Sequence, residues 1–166
     1  MQVNNFVKRS FFYSLPYDLG VLEFTYEVLA HLSAHQQSRD TDTEAGGQLF
    51  AAGIDKHHTR IVEVTGPRAE DSRGRFFYKP DRKAESREIN ENYAQYRHFV
   101  GDWHTHPQHI PHPSSTDLQS FQRLVQKSDH DLRGFVMVIV GRAEFPDGLY
   151  VGFHDGKAIT ELKITD

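Results

Sequence analysis

Short apolar runs separated by turn-forming residues recur along this chain and predict a β-sheet. The predicted strands cover residues 10–15, 20–24, 46–53, 59–65, 99–106, 134–140, 149–153 and 158–164. The run from Gly134 to Val140 is continuously apolar after its first glycine and is followed by a second glycine. Such a run is typical of a central strand that is buried on both faces.

Three segments have apolar residues at helical rather than strand spacing. The first follows Thr25, which favours the N-cap position, and ends in the polar stretch 33–43. The second follows Asp81, which can also cap a helix, and the third follows the proline-rich loop 107–113. The residues predicted to face the core are Val28, Leu29 and Leu32 in the first helix, Ile89, Tyr93 and Tyr96 in the second, and Leu118, Phe121, Leu124 and Val125 in the third. Because strands and helices interleave, we expect an α/β or α+β fold in which a mixed sheet packs between helices.

The length of 166 residues fits one domain, which we expect to span residues 1–166. Residues 55–58 are predicted to form a polar turn, and residues 66–80 a loop-rich excursion with many charges. The first ten residues lack the continuous apolar core of a signal peptide, and no later stretch approaches the roughly 18 apolar residues of a membrane span. We therefore expect a cytoplasmic protein that does not contact a membrane.

Charge and residue usage exclude several classes of function. The chain has 19 Lys+Arg against 23 Asp+Glu, a formal charge of −4, which gives no support to nucleic-acid binding because that would need a clustered basic surface. It has no cysteine but 11 histidines, five of which lie between His98 and His112. The absence of cysteine excludes disulfides, a thiol nucleophile and a thiolate metal site. Histidine is therefore the leading candidate for chemistry.

His104 and His106 are the most informative histidine pair. They occupy positions i and i+2 of a predicted strand, so both imidazoles point to the same face of the sheet. Asp117 lies eleven residues after His106, one turn into the third predicted helix, and the proline-bent loop between them could return its carboxylate to the histidines. Two neutral imidazoles and one carboxylate leave the fourth tetrahedral position open for water, which is the pattern of a catalytic zinc site.

These residues also have simpler explanations. A His-x-His pair is expected about 0.7 times by chance at this composition, although requiring Ser at +8 and Asp at +11 lowers that to about three in a thousand. Ser114 and Asp117 have the spacing of a helix capping box. Glu44 is a candidate general base because Gly46 and Gly47 beside it permit close backbone approach, but acidic residues beside strands are usually solvated. The same ligand set also suits a non-haem iron oxygenase.

The combined pattern of Glu44, His104-Thr-His106-Pro107, Ser114 and Asp117 resembles the motif of the JAB/JAMM (MPN-plus) metalloproteases. That motif consists of a glutamate, then His-x-His, seven residues, Ser, two residues and Asp. The surroundings are similar too: Glu44-Ala-Gly-Gly-Gln-Leu49 resembles the family's Glu-x-Gly-Gly strand start, Thr65-Gly-Pro67 its post-strand loop, and Val100–Pro107 its metal strand. The resemblance covers residues 24–153, most of the chain.

The resemblance implies a cytidine-deaminase-like fold with a curved mixed sheet, and a zinc-dependent isopeptidase with one Zn²⁺ per chain. His104, His106 and Asp117 would bind the zinc, Glu44 would be the general base, and Ser114 would help to hold the tetrahedral intermediate. Among bacterial members, the chain most resembles those found beside E1-like and E2-like enzymes in cyclic-oligonucleotide antiphage defence (CBASS). That resemblance implies a substrate in which the C-terminal tail of a ubiquitin-like protein or a cGAS-like nucleotidyltransferase is joined to an amine. The E1/E2-like enzyme and the nucleotidyltransferase are then the expected partners.

Two loop features of the sequence are each open to two interpretations. His109 and His112 are either groove residues for an extended tail or solvated loop residues, and the insertion 68–79 is either a substrate clamp or a loop. Trp103 should face away from the neighbouring histidines, into the core.

The main alternative function is a JAB-fold scaffold or a DNA-repair-linked protein without peptidase activity, although all five motif positions are present here. A cytidine deaminase is excluded because its Pro-Cys-x-x-Cys ligands cannot exist in a chain without cysteine.

Overall fold

The computed structural model describes residues 8–53, 57–128 and 133–165. Its helices are α1 (Tyr26–Ala34), α2 (Arg82–Tyr93) and α3 (Ser115–Lys127). Its strands are β1 (Phe11–Ser14), β2 (Val21–Phe24), β3 (Gly46–Ala52), β4 (His58–Val64), β5 (Ser72–Gly74), β6 (Phe77–Lys79), β7 (Arg97–Thr105), β8 (Phe135–Val140), β9 (Leu149–His154), β10 (Ile159–Glu161) and β11 (Ile164–Thr165). Half of the predicted turn at 55–58, and most of the first ten residues, lie outside the described residues.

Nine of these strands form one mixed sheet in the order β10-β9-β8-β7-β3-β4-β2-β1-β11. Strands β10 and β11 stand at opposite ends of this order, yet only Leu162 and Lys163 separate them along the chain. Leu162 N donates to Val151 O in β9, and Ser14 N in β1 donates to Lys163 O. The sheet is therefore curled until its two ends almost meet. The prediction of a single last strand at 158–164 is wrong, because the chain crosses from one end of the sheet to the other there.

Helices cover both faces of the curled sheet. Helix α1 packs through its three predicted apolar residues into the larger of two apolar clusters, which also contains Trp103. Helix α3 packs on the other face through Phe121 and Val125. All six residues of β8 are buried between these layers, as expected for a central strand. The predicted arrangement of a mixed sheet between helices is confirmed.

The buried face of α2 is polar, which the spacing of its apolar residues did not indicate. Tyr93 and Tyr96 are largely exposed, and Ile89 is only half-buried. The residues that the helix buries are Ala84, Glu85 and Asn92. Arg68, which lies outside α2, holds the helix to the rest of the protein, because its Nη2 donates a hydrogen bond to Glu88 Oε2 at 2.6 Å. The predicted apolar face of this helix is therefore wrong, since ion pairs and amide groups rather than tyrosines hold it to the sheet.

Thr25 and Asp81 occupy the N-cap positions predicted for them, but they differ in their capping hydrogen bonds. Asp81 Oδ1 accepts a hydrogen bond from Ala84 N at 2.8 Å, which is the expected N-cap of α2. Thr25 occupies the N-cap position of α1, but its hydroxyl has no hydrogen-bond partner among the described residues.

The excursion at 66–80 is more ordered than a loop. It contains the hairpin β5–β6, whose strands have only three residues each and no apolar–polar alternation that could have predicted them. Among the described residues, no helix has both the length and the apolar character needed to cross a membrane.

Candidate metal centre and groove

The three predicted metal ligands lie together where β7 ends and α3 begins. His104 is the penultimate residue of β7, His106 follows the strand, and Asp117 is in the first turn of α3. The two Nε2 atoms are 3.1 Å apart. Asp117 Oδ1 lies 3.2 Å from His104 Nε2, and Asp117 Oδ2 lies 3.1 Å from His106 Nε2. Strand alternation and the loop between strand and helix thus bring all three ligand atoms to one point.

This donor set fits a divalent metal ion. Ligand atoms in a tetrahedral zinc site with bonds of about 2.0–2.1 Å lie about 3.3 Å apart, close to the distances found here. Although burial raises it, the hydrogen bonds from His104 and His106 hold the pKa of Asp117 well below its usual range. Within the part of the chain that the structure describes, this is the one group of histidines and acids whose ligand atoms all lie within 4.8 Å of one another.

Gln108 orients one of the two imidazoles, a contact that the sequence analysis missed. Its Oε1 lies 3.2 Å from His106 Nδ1. A proton on Nδ1 that is donated to this oxygen leaves the Nε2 lone pair free for a metal. A polar residue two positions after a histidine ligand was the available signal, but such residues are common in loops.

Ser114 and Asp117 build the start of α3 as well as part of the site. Ser114 Oγ accepts a hydrogen bond from Asp117 N at 3.0 Å, and Asp117 Oδ2 accepts one from Ser114 N at 2.7 Å. The capping box considered as the simpler explanation is therefore present. It is compatible with metal binding, because it fixes the Asp117 carboxylate beside the histidines. The Ser114 hydroxyl acts only as an acceptor in this box, so its own proton is available to a ligand in the groove.

Glu44 lies two residues before the start of β3 and lines the same groove as the three candidate ligands. Burial raises the pKa of Glu44 to about 7, with nearby His106 opposing this shift and Asp117 adding to it. Its backbone is held by the hairpin, since Glu44 N donates to Gly74 O at 2.7 Å and Arg73 Nε donates to Glu44 O at 2.6 Å. A carboxyl group with a pKa near neutrality can both accept and release a proton at pH 7.

The two glycines after Glu44 allow this close arrangement. A Cβ on Gly47 would overlap the carbonyl oxygen of Thr65, and one on Gly46 would lie 2.7 Å from Trp103 O. Gly46 pairs with His104 in the register between β3 and β7. The predicted close backbone approach is confirmed, and it sets Glu44 beside the strand that carries the histidines.

A groove of about 720 Å³ passes over these residues. One wall is formed by the β5–β6 hairpin, whose Phe76 and Phe77 are both exposed, and the other by α3. The insertion 68–79 therefore borders the groove, which favours its interpretation as a clamp. His109 and His112 are exposed on the loop before α3 and do not line the groove, so they fit the solvated-loop interpretation.

Residues 26–149 match the family described as prokaryotic homologs of the JAB domain. A CD-NTase/cGAS isopeptidase from Pseudomonas aeruginosa is 34% identical over 86% of this chain and 91% of that protein. Another from Escherichia coli is 30% identical over 82% of this chain and 84% of that protein. The solution structure of a Desulfitobacterium hafniense protein superposes with a TM-score of 0.58 over 83% of this chain and 87% of that one, at 18% identity, which shows a shared fold alone.

The curled sheet, the motif and the family match agree, and the chain belongs to the JAB family, as the motif predicted. Within that family it groups with the CD-NTase/cGAS isopeptidases described above, and it is accordingly a hydrolase.

Proposed function

We propose that this chain is a zinc-dependent isopeptidase that hydrolyses the bond after the C-terminus of a ubiquitin-like or otherwise conjugated protein. One observation carries the proposal: His104, His106 and Asp117 meet at one point in a groove that the buried Glu44 also lines. Three metal ligands, a base and an open substrate path are what a metal-dependent hydrolase requires.

His104, His106 and Asp117 are the proposed zinc ligands. When bound there, zinc lowers the pKa of water and polarises the scissile carbonyl. Two imidazole nitrogens and one carboxylate oxygen favour zinc over magnesium or calcium, which prefer oxygen ligands alone. The Gln108 contact and the capping box hold two of the three ligands in place before any metal arrives.

Glu44 is the proposed general base. Its carboxylate takes a proton from the attacking water and delivers it to the amine nitrogen as the carbon–nitrogen bond breaks. The raised pKa of about 7 supports this role, because the group can change protonation state at neutral pH. The Ser114 hydroxyl donates a hydrogen bond to the carbonyl oxygen as negative charge develops on it.

The substrate is proposed to be an extended C-terminal tail joined to a lysine. The groove is open along the hairpin, where Phe76 and Phe77 offer an apolar edge to a bound peptide. The two relatives are named CD-NTase/cGAS isopeptidases. We therefore propose a cGAS-like nucleotidyltransferase as the conjugated protein, and an E1/E2-like enzyme as the source of the conjugate.

A conjugate between a nucleotidyltransferase C-terminal tail and a lysine side chain tests this function. The wild-type protein should contain one zinc and cleave the conjugate, chelation should stop cleavage, and added zinc should restore it. Glu44→Ala should lower the rate by about 10²–10⁴-fold with zinc retained, whereas Glu91→Ala, on the exposed surface of α2, should leave it unchanged.

Three outcomes would contradict parts of the proposal. Cleavage by Glu44→Ala at the wild-type rate would remove the proposed base. Iron rather than zinc in protein from unsupplemented cells would favour the oxygenase alternative. Binding of the conjugate without any cleavage would favour the scaffold alternative.

A further inference from the structure

Buried polar groups behind the site connect the histidine strand to the backbone beside Glu44. Thr105 lies between the two histidines, but its side chain points to the opposite face of the sheet, where it is fully buried. Its Oγ1 accepts a hydrogen bond from Ala45 N at 2.9 Å, and its own N donates to Ala45 O at 2.8 Å. The residue after Glu44 is thus held at both of its backbone groups by the residue between His104 and His106.

Gln37 extends this connection from the far side. It is fully buried. Thr105 Oγ1 donates to Gln37 Oε1 at 2.8 Å, while Gln37 Nε2 donates to the carbonyl oxygens of Asp42 at 3.2 Å and Arg75 at 3.0 Å. The amide therefore uses its oxygen and both of its hydrogens, and the Thr105 hydroxyl both donates and accepts.

These bonds matter because the Glu44 side chain has little else to fix it. Among the described residues its carboxylate has no hydrogen-bond partner, so its position depends on its own backbone. The hairpin bonds Glu44 N and O directly, and the residues on either side are held by Gln37, which donates to Asp42 O, and by Thr105, which accepts from Ala45 N. Displacement of a catalytic group by about 1 Å can lower a rate by about 10²-fold.

We propose that Gln37 is a positioning residue for the isopeptidase reaction, and that its buried amide, through Thr105 and Asp42, holds Glu44 in place relative to His104 and His106. The inference rests on the proposed role of Glu44 as the base. Gln37 touches neither substrate nor metal, and it acts only through the backbone that carries Glu44.

Gln37→Leu tests this, because it keeps the size of the side chain and removes all three hydrogen bonds. We expect kcat on the model conjugate to fall about 10–100-fold, with zinc content unchanged and KM within about threefold of wild type. Gln36→Leu is the matched control: the amide of Gln36 also donates to two carbonyls, those of Gly141 and Ala143 at 2.8 and 2.9 Å, but it does not join the Glu44 segment. It should lower the melting temperature comparably and leave kcat within about twofold. Equal kcat in Gln37→Leu and wild type, or equal losses in the two variants, would overturn the proposal.

Thr105 provides a second test that does not depend on a leucine at position 37. Thr105→Val keeps the shape of the side chain and loses the hydroxyl, so its kcat should fall as in Gln37→Leu. Thr105→Ser keeps the hydroxyl and should retain the wild-type kcat. The double variant with Gln37→Leu and Thr105→Val should lose less than the two single losses combined, because both single variants break the hydrogen bond between Thr105 and Gln37. Additive losses would refute that connection.

A readout without catalysis separates this inference from the proposed function. Exchange of the Ala45 amide hydrogen, followed by NMR, should accelerate at least about tenfold in Gln37→Leu beyond the change caused by global stability. It should not accelerate in Gln36→Leu. If the wild-type protein cleaves no conjugate, the proposed function fails, but Ala45 exchange still tests whether Gln37 holds the Glu44 segment. If Ala45 exchange is unchanged in Gln37→Leu, the positioning role fails whatever the activity.

Discussion

Replacing Glu44 by glutamine should stabilise the zinc-free protein at alkaline pH while abolishing cleavage. Burial raises the pKa of Glu44 from 4.5 to about 7, so the folded protein holds this proton more tightly than the unfolded chain. The protein therefore loses stability as the pH rises from the pKa of Glu44 in the unfolded chain through its pKa in the folded protein. The whole shift corresponds to about 3 kcal/mol. Because water reaches the carboxylate through the groove, we expect a gain of about 1–2 kcal/mol for Glu44→Gln at about pH 8.

Glu23 offers a control with the opposite sign, because it is as buried as Glu44, each being 6% exposed. Burial raises the pKa of Glu23, but hydrogen bonds from Ser10, Arg60 and His58 bring it below its usual value. Its charge therefore contributes stability above the unfolded pKa, and this contribution is lost as pH falls through the folded pKa. Glu23→Gln should destabilise the protein at about pH 8 by about 1–2 kcal/mol.

Urea denaturation in the presence of a chelator, at about pH 5 and about pH 8, measures both effects. The free energy of unfolding of Glu44→Gln should exceed that of wild type at the higher pH and differ little from it at the lower. A Glu44→Gln variant less stable than wild type at about pH 8, or one with the same gain at both pH values, would refute burial as the origin of the raised pKa.

Two further predictions concern the ligands. Asp117→Asn should abolish tight zinc binding and, by weakening the capping box, lower the stability of the zinc-free protein by about 1 kcal/mol. Ser114→Ala should show a similar stability loss in urea denaturation but keep its zinc. Equal zinc affinity in the two variants would argue against Asp117 as a ligand. Gln108→Ala should lower zinc affinity about 10–100-fold in a chelator competition assay, because the His106 ring loses the partner of its Nδ1 atom. An unchanged affinity would show that the Gln108 contact does not orient the ring.

The placement of the three proposed ligands could be predicted from the sequence because it depends on local rules. Alternation along a strand sets His104 and His106 on one face, and a capping box fixes where Asp117 stands in α3. Gln37 could not be predicted in this way. Gln37 lies in a polar stretch after α1, and its hydrogen-bond partners are 5, 38 and 68 residues away along the chain. No local sequence pattern marks contacts of this kind.

The misplaced face of α2 has a related cause. Apolar spacing predicts the buried side of a helix when apolar contacts hold that helix to the core. Here Arg68 and Glu88 hold the helix instead, so Tyr93 projects outward despite its position in the pattern. The hairpin β5–β6 escaped prediction because three-residue strands are too short to show alternation.

The crossing at Leu162 and Lys163 has a consequence for how this molecule is made. Phe12 pairs with Thr165, so 153 residues separate the two sides of that contact. Contacts between such distant residues form late and slowly. During synthesis, β1 therefore has an unpaired edge until residues 164–165 have emerged from the ribosome, and for that interval the nascent chain offers a strand edge to other chains.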